Sequence, residues 1–185
     1  FRKKQRTAWS EPNRLGQEVD SFLEGPCFDR DGNLWSVDIP FGRIFRLSPK
    51  GDCDLVCQYD GWPNGTAFHR DGSLWIAATT DAACCGSMSP GADETLLGHR
   101  NSESFQGRND LTFDRDGRCY FTDQGQTGLQ DPTGRVFRWN PGTGQLDCLL
   151  ATAPSPNGLV LDLHGKALYV AVTRGNALWR GPLQQ

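Results

Sequence analysis

The chain has 185 residues with a formal net charge of −3 at pH 7, and 37% of its residues are hydrophobic, enough for one domain with a packed core. The acidic balance excludes the basic surface that nucleic-acid binding requires. No apolar run approaches the ~20 residues of a membrane-spanning helix, so we expect neither nucleic acid nor a membrane among the partners.

Residues 1–22 are predicted to form an N-terminal segment ahead of the repeats. They open with FRKKQR, interpreted as a solvated charged end, and no apolar stretch follows, so no secretory signal is predicted. The seven cysteines are an odd number without a C-x-x-C pair, which favours reduced thiols over disulfides. We therefore expect a cytoplasmic location.

One sequence pattern occurs four times in the rest of the chain, residues 23–185. Each copy has a polar residue, an apolar stretch, a turn built on Gly, and an aromatic-rich strand. Repeats of 40–50 residues are typical of β-propeller blades with four strands, and no segment has the apolar spacing of a helix. The pattern predicts an all-β fold. The copies begin near residues 23, 62, 108 and 155 and read LEGPCFDRDGNLWSVD, WPNGTAFHRDGSLWIA, RNDLTFDRDGRCYFTD and SPNGLVLDLHGKALYVA.

The first copy shows how one blade is built. Alternating apolar residues predict strands, and Arg30-Asp31-Gly32 supplies a hairpin turn because Gly accepts a positive φ. The second copy loses the pattern after Ala77, so we expect a degenerate strand or a long loop at residues 79–93. The predicted strands of the first copy are residues 25–28, 33–38, 43–47 and 53–59.

A polar residue stands at the same point of each copy: Glu24, Asn64, Asn109 and Asn157. The innermost strands of a propeller line a central channel, so these four head residues are predicted to converge there. One carboxylate with amide oxygens suits Ca²⁺, Mg²⁺ or Mn²⁺. Asn before Gly is also an ordinary turn dipeptide, which is the alternative for two of the copies.

Four ordered motifs carry a family resemblance: LEGP at residues 23–26, GRNDL at 107–111, YFTDQG at 120–125 and SPNGL at 155–159. With them, the chain resembles the gluconolactonase, regucalcin (senescence marker protein) and luciferin-regenerating enzyme superfamily. The resemblance implies a six-bladed β-propeller that binds one divalent cation, Ca²⁺ before Mg²⁺, Mn²⁺ or Zn²⁺. Glu24 and Asn157 match family metal ligands, and Asn109 matches a family Asn near the metal or substrate.

The resemblance implies a metal-dependent hydrolase that opens sugar lactones or related esters. Asn64, Arg108 and Gln124 are candidate substrate contacts, with a surface salt bridge as the alternative for Arg108. The family's third ligand and base, the Asp of a Pro-Asp-Gly segment, has no match after Asn157. Six blades need roughly 270–300 residues. We therefore expect the chain to cover about four blades, with that Asp beyond Gln185.

A second hypothesis comes from the missing blades. A truncated propeller could be a catalytically silent binding module. An open ring would leave blade edges through which copies could self-associate, so the oligomeric state stays open. Calcium-dependent lactone hydrolysis distinguishes the two hypotheses.

Overall fold

The computed structural model describes residues 4–79, 88–89, 92–93, 97, 99–100, 102–125 and 128–183. Its contacts divide the chain into two compact units, residues 1–96 and 97–185. Among the described residues, no helix is both long and apolar enough to cross a membrane.

The N-terminal segment of the first unit contains a short helix that the sequence did not predict. Helix α1 spans Ser10–Arg14 and ends at Leu15, whose φ of 52° lies in the left-handed region. Five residues are too few for an apolar periodicity to be seen in the sequence. The ring of Trp9, just before the helix, packs against that of Phe22, with their centroids 5.8 Å apart.

The first copy of the repeat forms a four-stranded antiparallel sheet whose strands lie in chain order. The predicted strands agree with the observed ones to within two residues at each end. Val37 and Ile44 pair across the second and third strands and are completely buried. Both pack into one core cluster with Leu74 and Ile76 of the next copy. The strands are β1 Leu23–Phe28, β2 Leu34–Asp38, β3 Arg43–Leu47 and β4 Cys53–Gln58.

The second copy forms a hairpin of β5, Pro63–Phe68, and β6, Leu74–Ala78. Two short strands of two residues each, β7 Met88–Ser89 and β8 Ala92–Asp93, pair antiparallel after it. The predicted degenerate stretch at residues 79–93 lies for the most part outside the described residues.

The described part of the second unit begins with two paired strands of two residues each. A four-stranded antiparallel sheet follows, with its strands in chain order. On this sheet Phe121 and Phe137 stack at 5.2 Å, and Phe105 meets both rings edge-on. The strands are β9 His99–Arg100, β10 Glu103–Ser104, β11 Arg108–Phe113, β12 Cys119–Asp123, β13 Gly134–Asn140 and β14 Gln145–Ala153.

The fourth copy contributes three antiparallel strands, β15 Pro156–Leu161, β16 Ala167–Val172 and β17 Ala177–Pro182. Leu159 and Val170 of this sheet pack against Val136 of the neighbouring sheet in one buried cluster. Several antiparallel sheets therefore carry the fold, which confirms the all-β prediction.

Candidate functional site

The first strand of each copy has a β-bulge beside its polar head residue. Glu24 still pairs with Val37 and the bulge follows it, whereas the other three heads lie within the bulge. Pairing with the second strand is interrupted just after residues 24, 63, 108 and 156, which are the first or second residues of β1, β5, β11 and β15. A bulge leaves an extra residue unpaired and redirects its side chain. Glu24, Asn64, Asn109 and Asn157 are each the second residue of their strand.

One of the four head side chains is buried and three are half-buried, and they make few hydrogen bonds within the protein. Asn109 is 7% exposed, and the other three are half-buried. Within the described part of the chain, the side chains of Glu24, Asn64 and Asn157 make no hydrogen bond. Asn109 makes one, from its Nδ2 to Oε1 of Gln124 at 3.3 Å. Polar side chains that the protein does not use are available to bind a ligand in place of water.

In the first unit, backbone contacts hold the heads of copies one and two side by side. The hydroxyl of Thr66 donates to the carbonyl of Gly25. A Cβ on Gly25 would lie 2.2 Å from the carbonyl oxygen of Asn64, and the φ of Gly25 is +55°. Only glycine therefore fits next to Glu24.

In the second unit, the hydroxyl of Thr122 connects the first strands of copies three and four, β11 and β15. Its Oγ1 donates to the carbonyl of Asn157 at 2.8 Å and accepts from the backbone NH of Asp110 at 3.1 Å. The carboxylate of Asp110 in turn accepts the NH of Leu159 at 3.2 Å. These bonds place the Asn109 and Asn157 heads on adjoining strands.

Gln124 follows β12 and uses both ends of its carboxamide. Its Oε1 accepts from Asn109, and its Nε2 donates to Oγ of Ser155 at 2.8 Å. Its backbone NH donates to the carbonyl of Gly107 at 2.7 Å. Ser155 is buried and has a φ of 63°. The sequence showed neither side-chain partner of Gln124, because Asn109 lies 15 residues away along the chain and Ser155 lies 31 residues away.

A buried ion pair lies next to Gln124 in the third copy, between the end of β12 and the start of β13. Asp123 accepts from Nη2 of Arg135 at 2.7 Å and from the NH of Gln106 at 2.7 Å. Burial raises the pKa of Asp123, while Arg135 and the backbone NH act in the opposite direction. Asp38 and Arg43 form the equivalent pair in the first copy. An Asp ending the second strand with an Arg opening the third was the available sequence signal.

The predicted site residues divide between the two units. Glu24 and Asn64 lie in the first, and the other four lie in the second. Within the second unit, Asn109 and Gln124 are hydrogen-bonded. Arg108 is 2% exposed and its guanidinium lies 5.2 Å from the Phe105 ring centre. This burial excludes the surface salt bridge considered for Arg108. The sequence analysis gave no site role to four network residues, although two of them lie in the family motifs: Thr66, Thr122, Ser155 and Arg135.

The chemistry of the predicted donors suits a hard cation. With Nδ2 turned to Gln124, the Oδ1 of Asn109 is left to accept. Carboxylate and carboxamide oxygens suit Ca²⁺ or Mg²⁺, whereas Zn²⁺ prefers imidazole and thiolate ligands. Among the described residues, no three His, Cys, Asp or Glu gather as a metal-binding group. The described cysteines are all free.

Repeated antiparallel sheets with equivalent polar residues at bulged first strands define the class of protein, an all-β repeat protein. Residues 22–185 match the family model described as SMP-30/Gluconolactonase/LRE-like region. The chain belongs to this family.

Similar proteins agree with that assignment. Lactonase drp35 of Staphylococcus epidermidis is 28% identical over 170 residues, covering 88% of this chain and 51% of the relative. A solved gluconolactonase from Xanthomonas campestris has a TM-score of 0.79 at 21% identity, covering 98% of this chain and 67% of that structure. A regucalcin from Agrobacterium tumefaciens, described as a calcium-binding protein, has a TM-score of 0.69 at 21% identity, covering 88% and 54%.

At these identities the two solved structures establish similarity of fold alone. The chain spans about half the length of the curated relatives it matches, 51% to 54%.

Proposed function

We propose that this chain belongs to a divalent-metal-dependent hydrolase that opens the ring of sugar lactones or related esters. The observation that carries the proposal is the set of polar head residues at equivalent positions of bulged strands. Three of them are half-buried and make no side-chain hydrogen bond in the described part of the chain. Family membership and the lactonase among its relatives support the reaction class.

In this proposal Glu24, Asn109 and Asn157 hold one cation, with Ca²⁺ first because the donors are hard oxygens. A neighbour described as calcium-binding supports this choice. When bound, the cation would supply positive charge that polarises the substrate carbonyl. Glu24 contributes the compensating negative charge, and the two asparagines contribute neutral oxygens.

Asn64 and Arg108 are proposed to contact the substrate. Asn64 holds an equivalent position to the three proposed ligands, and its carboxamide can both donate to and accept from sugar hydroxyls. Arg108 immediately precedes Asn109, and its packing on Phe105 would hold the guanidinium in one orientation. We further propose that the sheets are blades of a six-bladed propeller, of which this chain contributes about four.

The second candidate function is metal or ligand binding without catalysis. It is favoured because the carboxylates next in sequence to Asn109 and Gln124 both already have partners within the protein. Asp110 accepts a backbone NH, and Asp123 is paired with Arg135. Neither is left as an evident base for the attacking water, so the residue that takes the water's proton is unassigned in this chain.

The test is hydrolysis of glucono-δ-lactone by this chain in Ca²⁺ and after chelation, with Ca²⁺ binding measured separately by calorimetry. Glu24→Gln should weaken Ca²⁺ binding at least about tenfold, since even residues that only orient a ligand contribute that much. Glu18→Gln, at an exposed position, is the matched control.

Three outcomes separate the candidates. Calcium-dependent turnover lost in Glu24→Gln and kept in Glu18→Gln supports the hydrolase. Calcium binding without turnover supports the binding module. Absence of Ca²⁺ binding, or equal binding by both variants, contradicts the metal site.

A further inference from the structure

We propose that Gln124 is a positioning residue, which orients the carboxamide of Asn109 so that its oxygen faces away from the protein network and toward a ligand. The inference rests on the proposed function for the identity of that ligand, a hard divalent cation. It replaces substrate contact as the role we infer for Gln124.

The first step is that Asn109 has a single anchor. The side chain is 7% exposed, and in the described part of the chain its only hydrogen bond runs from Nδ2 to Oε1 of Gln124. A carboxamide with one anchored end has a defined orientation only while that anchor accepts. If Oε1 of Gln124 is removed, the amide can rotate and present its NH₂ group, which cannot bind a cation.

The second step is that Gln124 is itself held at two points. Its backbone NH donates to Gly107 at 2.7 Å, and its Nε2 donates to Ser155 Oγ at 2.8 Å. With Nε2 committed to Ser155, Oε1 is directed at Asn109. Both polar atoms of the Gln124 side chain are therefore used inside the protein.

The third step is that the position of Ser155 is set by the backbone. Ser155 is 3% exposed with a φ of 63°, a left-handed conformation that non-glycine residues seldom adopt. Its carbonyl accepts the NH of Thr173 at 2.9 Å. Asn157 follows two residues later. This hydrogen-bond relay, Asn109 to Gln124 to Ser155, therefore connects Asn109 to the start of β15. Strand β15 carries Asn157, the other proposed ligand of this unit.

The experiment compares two near-isosteric changes in the complete chain. Gln124→Glu keeps an acceptor facing Asn109, and the hydroxyl of Ser155 can rotate to donate to it. Gln124→Met has a similar length but no acceptor of comparable strength. Gln130→Met makes the same exchange at an exposed position and is the control. Thermal unfolding checks that each variant folds.

Two readouts are needed. Tb³⁺ luminescence with Ca²⁺ competition measures cation affinity without substrate. We expect Gln124→Met to weaken this affinity by about 10- to 100-fold. Gln124→Glu should bind the cation as tightly as wild type or more tightly, and the Gln130→Met control should bind it as wild type does. NMR of the ¹⁵N-labelled Asn109 carboxamide in metal-free protein reports the hydrogen bond itself. Its NH₂ signals should shift and exchange faster in Gln124→Met only.

The outcomes distinguish this inference from the proposed function. If wild type binds neither Tb³⁺ nor Ca²⁺, the metal site fails, while the NMR comparison still tests the relay. If Gln124→Met leaves both affinity and carboxamide signals unchanged, positioning is wrong. Unchanged affinity with a raised KM for glucono-δ-lactone would instead assign Gln124 to substrate contact and overturn the proposal.

Discussion

Asp123 and Arg135 form a buried pair in which one carboxylate oxygen accepts from both Nε, at 3.1 Å, and Nη2, at 2.7 Å, of the guanidinium. The side chain of Asp123 is 0% exposed and that of Arg135 14%. The pair connects the end of β12 to the start of β13, and the NH of Gln106 binds the other carboxylate oxygen. It therefore fixes the segments that lead into and out of the Asn109 region.

Replacing Arg135 with Met should destabilise the protein by about 3–5 kcal/mol at pH 7, because it leaves a buried carboxylate without its counter-charge. Urea unfolding measures the loss. Arg138→Met, which breaks the more exposed pair with Asp147, should cost under about 1 kcal/mol. Equal losses in the two variants would show that burial of the Asp123 pair has no energetic consequence.

The pH dependence of that loss has a definite sign. Burial raises the pKa of Asp123 above its ordinary value, so its protonated form is favoured by folding. This contribution to stability is complete below the ordinary pKa and is lost as the pH rises through the raised value. Without Arg135 the pKa should rise further, so Arg135→Met should be less destabilising at pH 4 than at pH 7. A larger loss at pH 4 would contradict this assignment.

The hydroxyl of Thr122 should contribute to stability because it serves two backbone groups of neighbouring strands. Thr122→Val preserves the shape but leaves the carbonyl of Asn157 and the NH of Asp110 without this partner, which should cost about 1–3 kcal/mol in urea unfolding. Thr122→Ser should recover most of the loss. Thr143→Val, at an exposed turn, is the control and should change stability little.

Gly25 and Gly51 test close packing against backbone strain. Both have positive φ, but a Cβ at Gly25 would meet the carbonyl of Asn64 at 2.2 Å, whereas nothing lies within 4 Å at Gly51. Gly51→Ala should cost about 1–3 kcal/mol from conformation alone. Gly25→Ala should cost about 1–3 kcal/mol more, because the neighbouring backbone must move. Equal midpoints of thermal unfolding would contradict the close approach.

The turn of the second copy offers a titration that can be measured directly. The hydroxyl of Ser73 donates to Asp71 at 2.6 Å and, with the Ser73 NH and His69, lowers the pKa of Asp71 from 3.8 to about 2. A lowered pKa stabilises the fold above the ordinary value and loses that contribution as the pH falls through about 2. Ser73→Ala should raise this pKa in a ¹³C-carboxyl NMR titration, and Ser73→Thr should keep it low. An unchanged pKa in Ser73→Ala would rule out the hydroxyl as the main cause.

Several features of the fold could be predicted because they depend on local pattern. The four strands of the first copy follow from alternating apolar residues and glycine turns, which act over a few residues. The equivalence of Glu24 and Asn157 follows from the repeat itself. Helix α1 was missed because five residues show no periodicity. The burial of Arg108 was missed because charged residues are mostly exposed, and the sequence does not show the packing of its guanidinium on Phe105.

From the sequence alone came the all-β repeat, the family and the polar residue at the head of each copy. The tertiary structure decided how those heads are held: Gln124 bridges Asn109 and Ser155, Thr122 joins two strands, and Gly25 admits the backbone of Asn64. The difference has a physical cause. A repeat specifies equivalent backbone positions, but hydrogen-bond partners and close contacts depend on groups that folding brings together from 15 to 35 residues apart in these hydrogen bonds.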